Sequence, residues 1–433
     1  MVGTRGVPAR YGGFETAVEE VGRRLAERGH DVVVYSREHA SDVGVREHLG
    51  MRRVVVPAVR RRSLETLSHT ALSVGHLVAA GGTDVAFVFN AANAPLLPVL
   101  RAARVPVATH VDGLEWQRAK WGPAGQRYYR RAEEMAVRCS DALIADAPGI
   151  ADYYTAEFGV PTTLLAYGAP ILEDAGTDRL AELDLAPDGY HLVVARFEPE
   201  NHVDVLVAGY VASGARLPLV VVGSAPYADV YTARVRAAAG DDPRVRLVGG
   251  VWDAQLLDQL YANARTYLHG HSVGGTNPSL LRAIGAGTAT IAWAVAFNRD
   301  VLGDDGVYVD DVPGVARAVE AAELHAAVTR ARGHVLQGRA RAYDWDDVAA
   351  GYEALARDLH ARRTPGPQRV RRRPATAQRA GTAVHVPAVA GVRDELGVRD
   401  EVGVRDEVAA DVPVAADAGA AAAPAETVTG ARR

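Results

Sequence analysis

Runs of apolar, often β-branched residues alternate with amphipathic stretches over residues 1–360. In the first half of the chain, helical spacing of apolar residues predicts helices over residues 14–28, 63–79, 124–138 and 147–157. The apolar runs between them predict the strands Asp31–Tyr35, Arg53–Val56, Val85–Phe89, Val105–Val111, Ala142–Ala145 and Thr163–Ala166. Continuously apolar strands separated by helices are typical of a parallel sheet covered on both faces. We therefore predict a doubly wound α/β domain at residues 1–171.

The alternation pauses over residues 172–189, which are rich in Asp, Gly and Pro and are predicted to be a linker. It then restarts with the runs His191–Ala195, Leu219–Val222, Val245–Val248, Arg265–Leu268, Thr290–Trp293 and Val307–Val309. We therefore predict a second doubly wound domain at residues 190–343. Two such domains leave a cleft at the carboxyl ends of their sheets, where ligands of this architecture bind.

The pattern changes again after the second domain. Residues 344–361 are predicted to form a helix whose apolar face contains Trp345, Val348, Tyr352 and Leu355. Residues 362–433 begin with an arginine cluster and contain a hexapeptide that recurs three times between Gly391 and Val408. Because this segment offers no packable apolar face, we predict a disordered, low-complexity tail. Its arginines are either simply solvated or touch anionic lipid headgroups, and the second interpretation would place the protein at a membrane surface.

The composition limits the function classes. The net charge of -5 argues against nucleic acid as the main partner. The single cysteine, Cys139, excludes an intramolecular disulfide, and the chain shows neither a signal-peptide pattern nor a run of 18 apolar residues. We therefore expect a cytoplasmic protein, with peripheral contact at the inner face of the membrane if the arginines bind lipid.

Two glycine-rich loops open amphipathic helices at distant points of the chain. In the loop at residues 271–280, Gly274 and Gly275 precede Asn277, a suitable N-cap, and Pro278, which suits a first helical turn. A helix N-terminus behind glycines presents backbone N–H groups and the positive end of the helix dipole to an anion. The alternative interpretation is an ordinary capped helix. Because a second such loop, residues 3–16, contains Gly12 and Gly13, we expect the two loops to face one cleft.

These motifs resemble those of the retaining glycosyltransferases of family 4, which have the two-domain GT-B fold. The N-terminal loop GTRGVPARYGGFET is similar to that of the subgroup containing bacterial polysaccharide rhamnosyltransferases. The other matching motifs are VARFEPEN at 194–201, VVGSAP at 221–226, HGHSVGGTNPS at 269–279 and YDW at 343–345. The resemblance implies that the helix at 344–361 crosses back onto the first domain. It also implies that the second domain binds a nucleotide-diphosphate sugar and the first domain binds the acceptor.

The resemblance assigns a set of donor-binding residues, in which Arg196 contacts the diphosphate. The set comprises Gly12, Gly13, Arg196, Asn201, Gly223, Gly274, Gly275, Thr276, Asn277, Pro278, Ser279 and Arg282. Three of these positions depart from the family pattern. Asn201 stands where many members have a lysine, and Gly274 and Arg282 stand where many have two glutamates. Arg282 cannot accept a hydrogen bond from a ribose hydroxyl, but its charge would partly replace the missing lysine near the diphosphate.

Asp112 follows the predicted strand Val105–Val111, and His110 lies near its end. Both are the catalytic candidates, either to bind sugar hydroxyls or to help the acceptor lose its proton. Ordinary local backbone contacts at a strand end are the alternative for both. We find no separate nucleophile and no spacing typical of a metal site. The resemblance implies that the departing phosphate takes the acceptor proton, so neither a cofactor nor a metal ion is expected.

In family members a short apolar strand, central in the first sheet, precedes the glycine loop, but here only Met1 and Val2 precede Gly3. We expect the first strand of the domain to be missing, either because the start codon is assigned too late or because the domain is compromised.

The main hypothesis is a hexosyltransferase-type glycosyltransferase. It would move a sugar, with rhamnose suggested only by the subgroup, from a nucleotide-diphosphate sugar to a saccharide or lipid-linked acceptor, with retention, in cell-surface polysaccharide synthesis. One alternative is a sugar-nucleotide-binding protein without catalysis. Another is an NAD-dependent oxidoreductase, although the first loop lacks the G-x-G-x-x-G spacing of a dinucleotide site.

Overall fold

A computed structural model describes residues 1–9, 12–38, 44–59, 64–111, 113–118, 121–223 and 229–368. All of them belong to one compact unit, Met1–Thr376, and the second unit, Ala377–Arg433, lies outside the described residues. Of the predicted tail, only residues 362–368 are described, and they form neither helix nor strand. The prediction for residues 369–433 therefore stays a prediction.

The first half of the chain contains seven strands and five α-helices among its described residues. In chain order they are α1 (Gly13–Glu27), β1 (Val33–Arg37), β2 (Glu47–His48), β3 (Met51–Val56), α2 (Glu65–Ala80), β4 (Ala86–Phe89), α3 (Leu97–Ala102), β5 (Val107–His110), α4 (Pro123–Cys139), β6 (Ala142–Ala145), α5 (Pro148–Phe158) and β7 (Thr163–Leu164). The strands form a sheet of order β1-β3-β2 and a parallel sheet of order β4-β5-β6-β7. All six predicted strands are present. The short antiparallel strand β2 was not predicted, because two residues are too few to show a period.

Met1 and Val2 lie between the two sheets of the first domain. The Met1 amino group donates to the Val33 carbonyl (2.8 Å), and the Met1 carbonyl accepts from the Tyr35 N–H (3.2 Å). On the other side Val2 pairs in parallel with Val88 of β4. Two residues therefore bridge β1 and β4 at the position of the strand that was expected to be missing. Burial lowers the pKa of the Met1 amino group to about 5.

The second half forms one parallel sheet. Its strands are β8 (His191–Val194), β9 (Leu219–Val222), β10 (Val245–Gly249), β11 (Thr266–His269), β12 (Thr290–Trp293) and β13 (Val307–Val309). The helices are α6 (Val203–Val211), α7 (Asp229–Ala239), α8 (Ala254–Ala262), α9 (Pro278–Gly285), α10 (Ala296–Leu302), α11 (Val312–Leu324) and α12 (Ala326–Ala340). The sheet order is β10-β9-β8-β11-β12-β13. This is the order of a doubly wound dinucleotide-binding fold, in which the winding reverses between the first and fourth strands, here β8 and β11.

The last helix, α13 (Trp345–His360), packs against α1 of the first domain. Asp344 caps it by accepting from the Asp346 N–H (2.7 Å). The Tyr352 ring makes an edge contact with Phe87 of β4, with the ring centroids 5.2 Å apart. The helix therefore crosses back onto the first domain, as the resemblance implied.

No helix in the described part of the chain has the length and apolar character needed to cross a membrane.

Candidate active site

The crevice at the carboxyl ends of β8 and β11 is where a doubly wound sheet of this order binds its ligand. The loop after β8 carries Arg196, and the loop after β11 leads through Ser272 to Asn277 at the start of α9. The two loops are tied together, since the Glu200 carbonyl accepts from the Ser272 N–H (2.9 Å) and the Ser272 hydroxyl (3.1 Å). The topology thus brings two predicted donor-binding segments to one place.

Arg196 is available at the surface of this crevice. Its side chain is 40% exposed, and its Nη1 lies 3.6 Å from Oε1 of Glu198. The side chain of Asn201, by contrast, is buried and its Nδ2 donates to the Arg196 carbonyl (2.8 Å). Asn201 therefore fixes the loop that presents Arg196. A contact between Asn201 and the donor stays a prediction.

The start of α9 has the geometry of a capped helix. Oδ1 of Asn277 accepts from the Ser279 N–H (3.0 Å) and from the Ser279 hydroxyl (2.7 Å). The Tyr267 hydroxyl donates to Oγ of Ser279 (3.0 Å). Both interpretations of this loop are therefore compatible with the structure, because the capped helix also directs its positive end towards the crevice.

The two glycine-rich loops meet across the cleft. A Cβ on Gly13 would lie 2.9 Å from Cγ of Pro278, at the first residue of α9. In the loop at residues 271–280, a Cβ on Gly275 would lie 2.2 Å from Oδ1 of Asp146 in the first domain. The Thr276 hydroxyl of the same loop donates to the Asp146 carbonyl (2.7 Å). The absence of side chains at Gly13 and Gly275 thus allows the first domain to approach the N-terminus of α9 closely.

The N-terminal loop is held in place by carboxylates of α1. Glu15 accepts from the Arg5 N–H (2.9 Å), and Glu19 accepts from the Ala9 N–H (2.8 Å). Gly3 has a φ of +102°, and a Cβ there would lie 2.3 Å from the Phe89 carbonyl oxygen. Glu15 and Glu19 therefore help to fix this loop. Gly12 lies at the end of the loop, directly before α1.

His110 ends β5 inside a group of aromatic rings. Phe14, Phe89 and Tyr167 surround its ring at centroid distances of 5.1 to 6.0 Å. Burial lowers the pKa of His110 to about 3, and its Nδ1 has no hydrogen-bond partner among the described residues. A neutral imidazole can bind a sugar hydroxyl, but it is a weak base for taking a proton. The other catalytic candidate, Asp112, lies outside the described residues.

Two predicted donor-binding residues have local partners. Nε of Arg282 donates to Oδ1 of Asp258 on α8 (2.7 Å). Gly223 follows β9, and a Cβ there would lie 1.8 Å from the Ala195 carbonyl oxygen, so glycine is required for packing. The contact of Arg282 with a diphosphate and that of Gly223 with the donor stay predictions.

Sequence reasoning missed four charged residues at the cleft. Nη1 of Arg118, from the first domain, lies 3.2 Å from Oε1 of Glu200 and 3.9 Å from Oε2 of Glu198. Nε of Arg118 donates to Oε2 of Glu115. Glu198 and Glu200 were visible within the motif at 194–201, but a single sequence gave no signal that pairs them with an arginine some 80 residues earlier.

Three histidines with lowered pKa values lie after β8 and at or after the end of β11, in the segments that lead into the same two loops. The rings of His269 and His271 stack at 4.3 Å, and those of His202 and Trp293 stack at 4.0 Å. Burial lowers the pKa of His269 to about 3 and that of His202 to about 4. Burial also lowers the pKa of His271 well below its ordinary value, and the neighbouring Arg196 and Arg118 act in the same direction. The positive charge of the crevice therefore comes from arginines.

Each half of the chain matches a family model of glycosyltransferase domains. Residues 12–168 match the family model of the glycosyl transferase 4-like domain, and residues 189–323 match that of the glycosyl transferases group 1. The chain carries these two glycosyltransferase domains. Among curated proteins it is similar to the GtfA subunit of the UDP-N-acetylglucosamine--peptide N-acetylglucosaminyltransferase of Streptococcus gordonii, with 31% identity over 121 residues. That match covers 27% of this chain, which spans only 23% of the length of the relative.

Solved structures show the same architecture. Sucrose-phosphate synthase from Thermosynechococcus elongatus has a TM-score of 0.68 at 21% identity and is matched over 82% of this chain and 96% of its own. HepE from Anabaena in complex with UDP-glucose has a TM-score of 0.64 at 13% identity, over 81% of this chain and 98% of its own. At these identities the likeness concerns the fold, and it confirms the predicted GT-B class.

Within the described residues, no group of three or more His, Cys, Asp and Glu side chains is arranged to hold a metal ion.

Proposed function

We propose that this protein is a retaining glycosyltransferase that moves a sugar from a nucleotide-diphosphate sugar to a saccharide or lipid-linked acceptor in cell-surface polysaccharide synthesis. One observation supports this most directly. The loop presenting Arg196 is hydrogen-bonded to the loop that opens α9, at the point where the winding of the second sheet reverses. The glycine loop of the first domain lies against the same helix N-terminus.

The proposed chemistry assigns a role to each of these groups. As the sugar leaves, negative charge grows on the phosphate oxygens of the nucleoside diphosphate. A fixed guanidinium at Arg196 and the positive end of α9 stabilise this charge without rearrangement of solvent. Because they interact more strongly with the transition state than with the bound donor, they lower the barrier to transfer.

On the acceptor side, the neutral His110 of the first domain is suited to binding a hydroxyl group of a sugar. We propose that the departing phosphate takes the acceptor proton, which agrees with the lowered pKa of His110. Asp112, two residues further along, stays a candidate for the same face of the sugar.

The donor is open to direct measurement. HepE was solved with UDP-glucose, whereas the resemblance of the N-terminal loop favours dTDP-rhamnose. We expect one of UDP-glucose, UDP-N-acetylglucosamine, GDP-mannose and dTDP-rhamnose to raise the melting temperature, because it binds only the folded protein.

Arg196→Gln tests whether the binding runs through the proposed site. Loss of one charge-assisted contact should weaken donor binding about tenfold to a hundredfold. The exposed Arg131 on α4 provides a matched control, and Arg131→Gln should leave the affinity unchanged. Equal donor affinity in wild type and Arg196→Gln, or no binding of any member of the panel, would contradict the proposal.

A sugar-nucleotide-binding protein without catalysis is the second candidate. It is favoured by the local partners of Asn201 and Arg282, which hold both side chains in contacts of their own. Release of nucleoside diphosphate from the bound donor, with acceptors supplied, distinguishes the two functions. Transfer with retention, seen in the anomeric configuration of the product by NMR, supports the first candidate.

We also propose that transfer needs neither a cofactor nor a bound metal ion, so activity should survive EDTA.

A cytoplasmic location with contact between the arginine-rich tail and an anionic membrane completes the proposal. It predicts that the intact chain sediments with anionic vesicles and that a chain ending at residue 361 does not.

A further inference from the structure

Arg118 reaches from the first domain into the crevice of the second. Its side chain is 11% exposed, and its Nη1 lies 3.2 Å from Oε1 of Glu200. The carbonyl of Glu200 is in turn hydrogen-bonded to Ser272 of the loop that opens α9. The guanidinium of Arg118 therefore lies beside both segments that form the proposed diphosphate site.

Glu198 lies between two guanidinium groups. Its Oε1 is 3.6 Å from Nη1 of Arg196, and its Oε2 is 3.9 Å from Nη1 of Arg118. One carboxylate thus contacts two cations, one from each domain, with a different oxygen each. A phosphate group offers the same kind of acceptor oxygens and carries more charge.

The need for a second cation follows from the residue at position 201. Asn201 carries no charge, and its Nδ2 donates a hydrogen bond to the Arg196 carbonyl. Asn201 therefore supplies no positive charge to the crevice. Arg282 is held by Asp258 on the neighbouring helix. Among the described residues, Arg118 is a cation that shares an anionic partner, the Glu198 carboxylate, with Arg196.

We propose that Arg118 and Arg196 together bind the diphosphate of the donor, and that the donor displaces the Glu198 carboxylate from between them. This inference rests on the proposed function and names the residue that supplies the second positive charge. Because Arg118 belongs to the first domain, the site is complete only while the two domains are closed. Donor binding then favours the closed arrangement, since that state alone offers both guanidinium groups.

The test compares nucleoside diphosphates with monophosphates by calorimetry. UDP, GDP, ADP and dTDP are titrated into the wild-type chain, and the one that binds is carried forward with its monophosphate. Arg118→Gln should weaken binding of the diphosphate by about tenfold to a hundredfold. The monophosphate should lose less, and the control Arg131→Gln should change neither.

Glu198→Gln decides between ligand binding and a merely structural role. If Glu198 competes with the donor, its neutralisation should strengthen diphosphate binding by about twofold to fivefold, because the competing ion pairs are partly exposed. If Arg118 only joins the two domains through its carboxylate partners, Glu198→Gln should weaken binding as Arg118→Gln does. Melting curves of the free variants identify any that fail to fold, and Arg118→Lys then provides a milder change.

Three results would overturn the inference. Diphosphate affinity of Arg118→Gln within about twofold of wild type excludes the contact, and so does a weakening in Glu198→Gln equal to that in Arg118→Gln. In both cases wild-type binding and its dependence on Arg196 leave the proposed function standing. If the wild type binds none of the four diphosphates, the proposed function fails and this inference fails with it.

Discussion

His110 shows how strongly tertiary packing changes the chemistry of a single residue. The sequence places it near the end of a strand as a candidate for sugar binding or proton transfer, yet three aromatic rings surround it and its pKa falls to about 3. An unfolded chain exposes the same imidazole to water, where its pKa is about 6.5. The folded state therefore opposes protonation at this position, and so does burial of His269, whose pKa is also about 3.

We predict that stability falls as the pH is lowered from about 6.5 towards 3, since the unfolded state binds more protons in this interval. His110→Phe keeps an aromatic ring among Phe14, Phe89 and Tyr167. It should reduce the stability difference between pH 7 and pH 5 by on the order of 2 kcal/mol. Urea unfolding at the two pH values measures this difference. The exposed His334 serves as a control, and His334→Gln should leave it unchanged. An unaltered pH dependence in His110→Phe would contradict the low pKa of His110.

At the scale of elements, α13 is the segment whose partner the sequence could not name from its own pattern. The apolar face of the helix was evident, and its residues Trp345, Tyr352, Leu355 and Leu359 are buried. The helix packs against α1, and the Tyr352 ring contacts Phe87 of β4, both more than 250 residues earlier in the chain. Ion pairs of Arg24 with Asp346 and of Arg28 with Glu353 fix the same contact at its solvent edge.

Trp345→Ala should therefore destabilise the protein by about 3 to 5 kcal/mol, because it leaves a cavity at the joint between α13 and the first domain. The indole packs against Gly168, where a Cβ would lie 2.3 Å from Cδ2 of Trp345. Urea unfolding followed by circular dichroism measures the loss. Arg357→Ala, which removes an exposed ion pair on the same helix, should cost at most about 1 kcal/mol. Equal effects of the two substitutions would show that α13 does not anchor the first domain.

At the scale of the whole molecule, the described arrangement is a closed one. Gly13 and Gly275 approach the opposite domain, and a Cβ on Gly113 would lie 2.6 Å from Cα of Gly274. The ion pairs of Arg118 with Glu198 and Glu200 cross the same gap. In the proposed complex the donor occupies this gap and displaces the Glu198 carboxylate, while the glycine loops keep the two domains in contact around it.

Gly113→Val tests this closure, because its side chain would overlap the backbone of Gly274. We expect a larger radius of gyration in small-angle X-ray scattering and weaker binding of the nucleoside diphosphate. Gly122→Val is the matched control, since nothing lies within 4 Å of a Cβ at that position. A radius of gyration equal to wild type, with unchanged affinity, would show that the contact between the loops is not needed for binding.

The sequence by itself determined the local elements and the class of fold. The predicted strands of both halves are present, and Asn277 and Pro278 start α9 as expected, because β-branched runs, helical spacing and capping preferences act over a few neighbouring residues. The family resemblance also pointed to Arg196, which lies in the loop directly after β8.

Only the tertiary structure decided which distant groups meet. In the folded protein Arg282 forms an ion pair with Asp258, and Asn201 donates a hydrogen bond to the Arg196 carbonyl. Arg118 contacts the same Glu198 carboxylate that Arg196 contacts. The structure also showed that two residues, Met1 and Val2, join the neighbouring strands. These contacts depend on where each side chain points after both domains have packed. The pattern of a single sequence does not determine that direction, because the contacting residues are far apart in the chain. The electrostatics of the proposed site therefore follow from packing, whereas its position in the fold follows from the order of the strands.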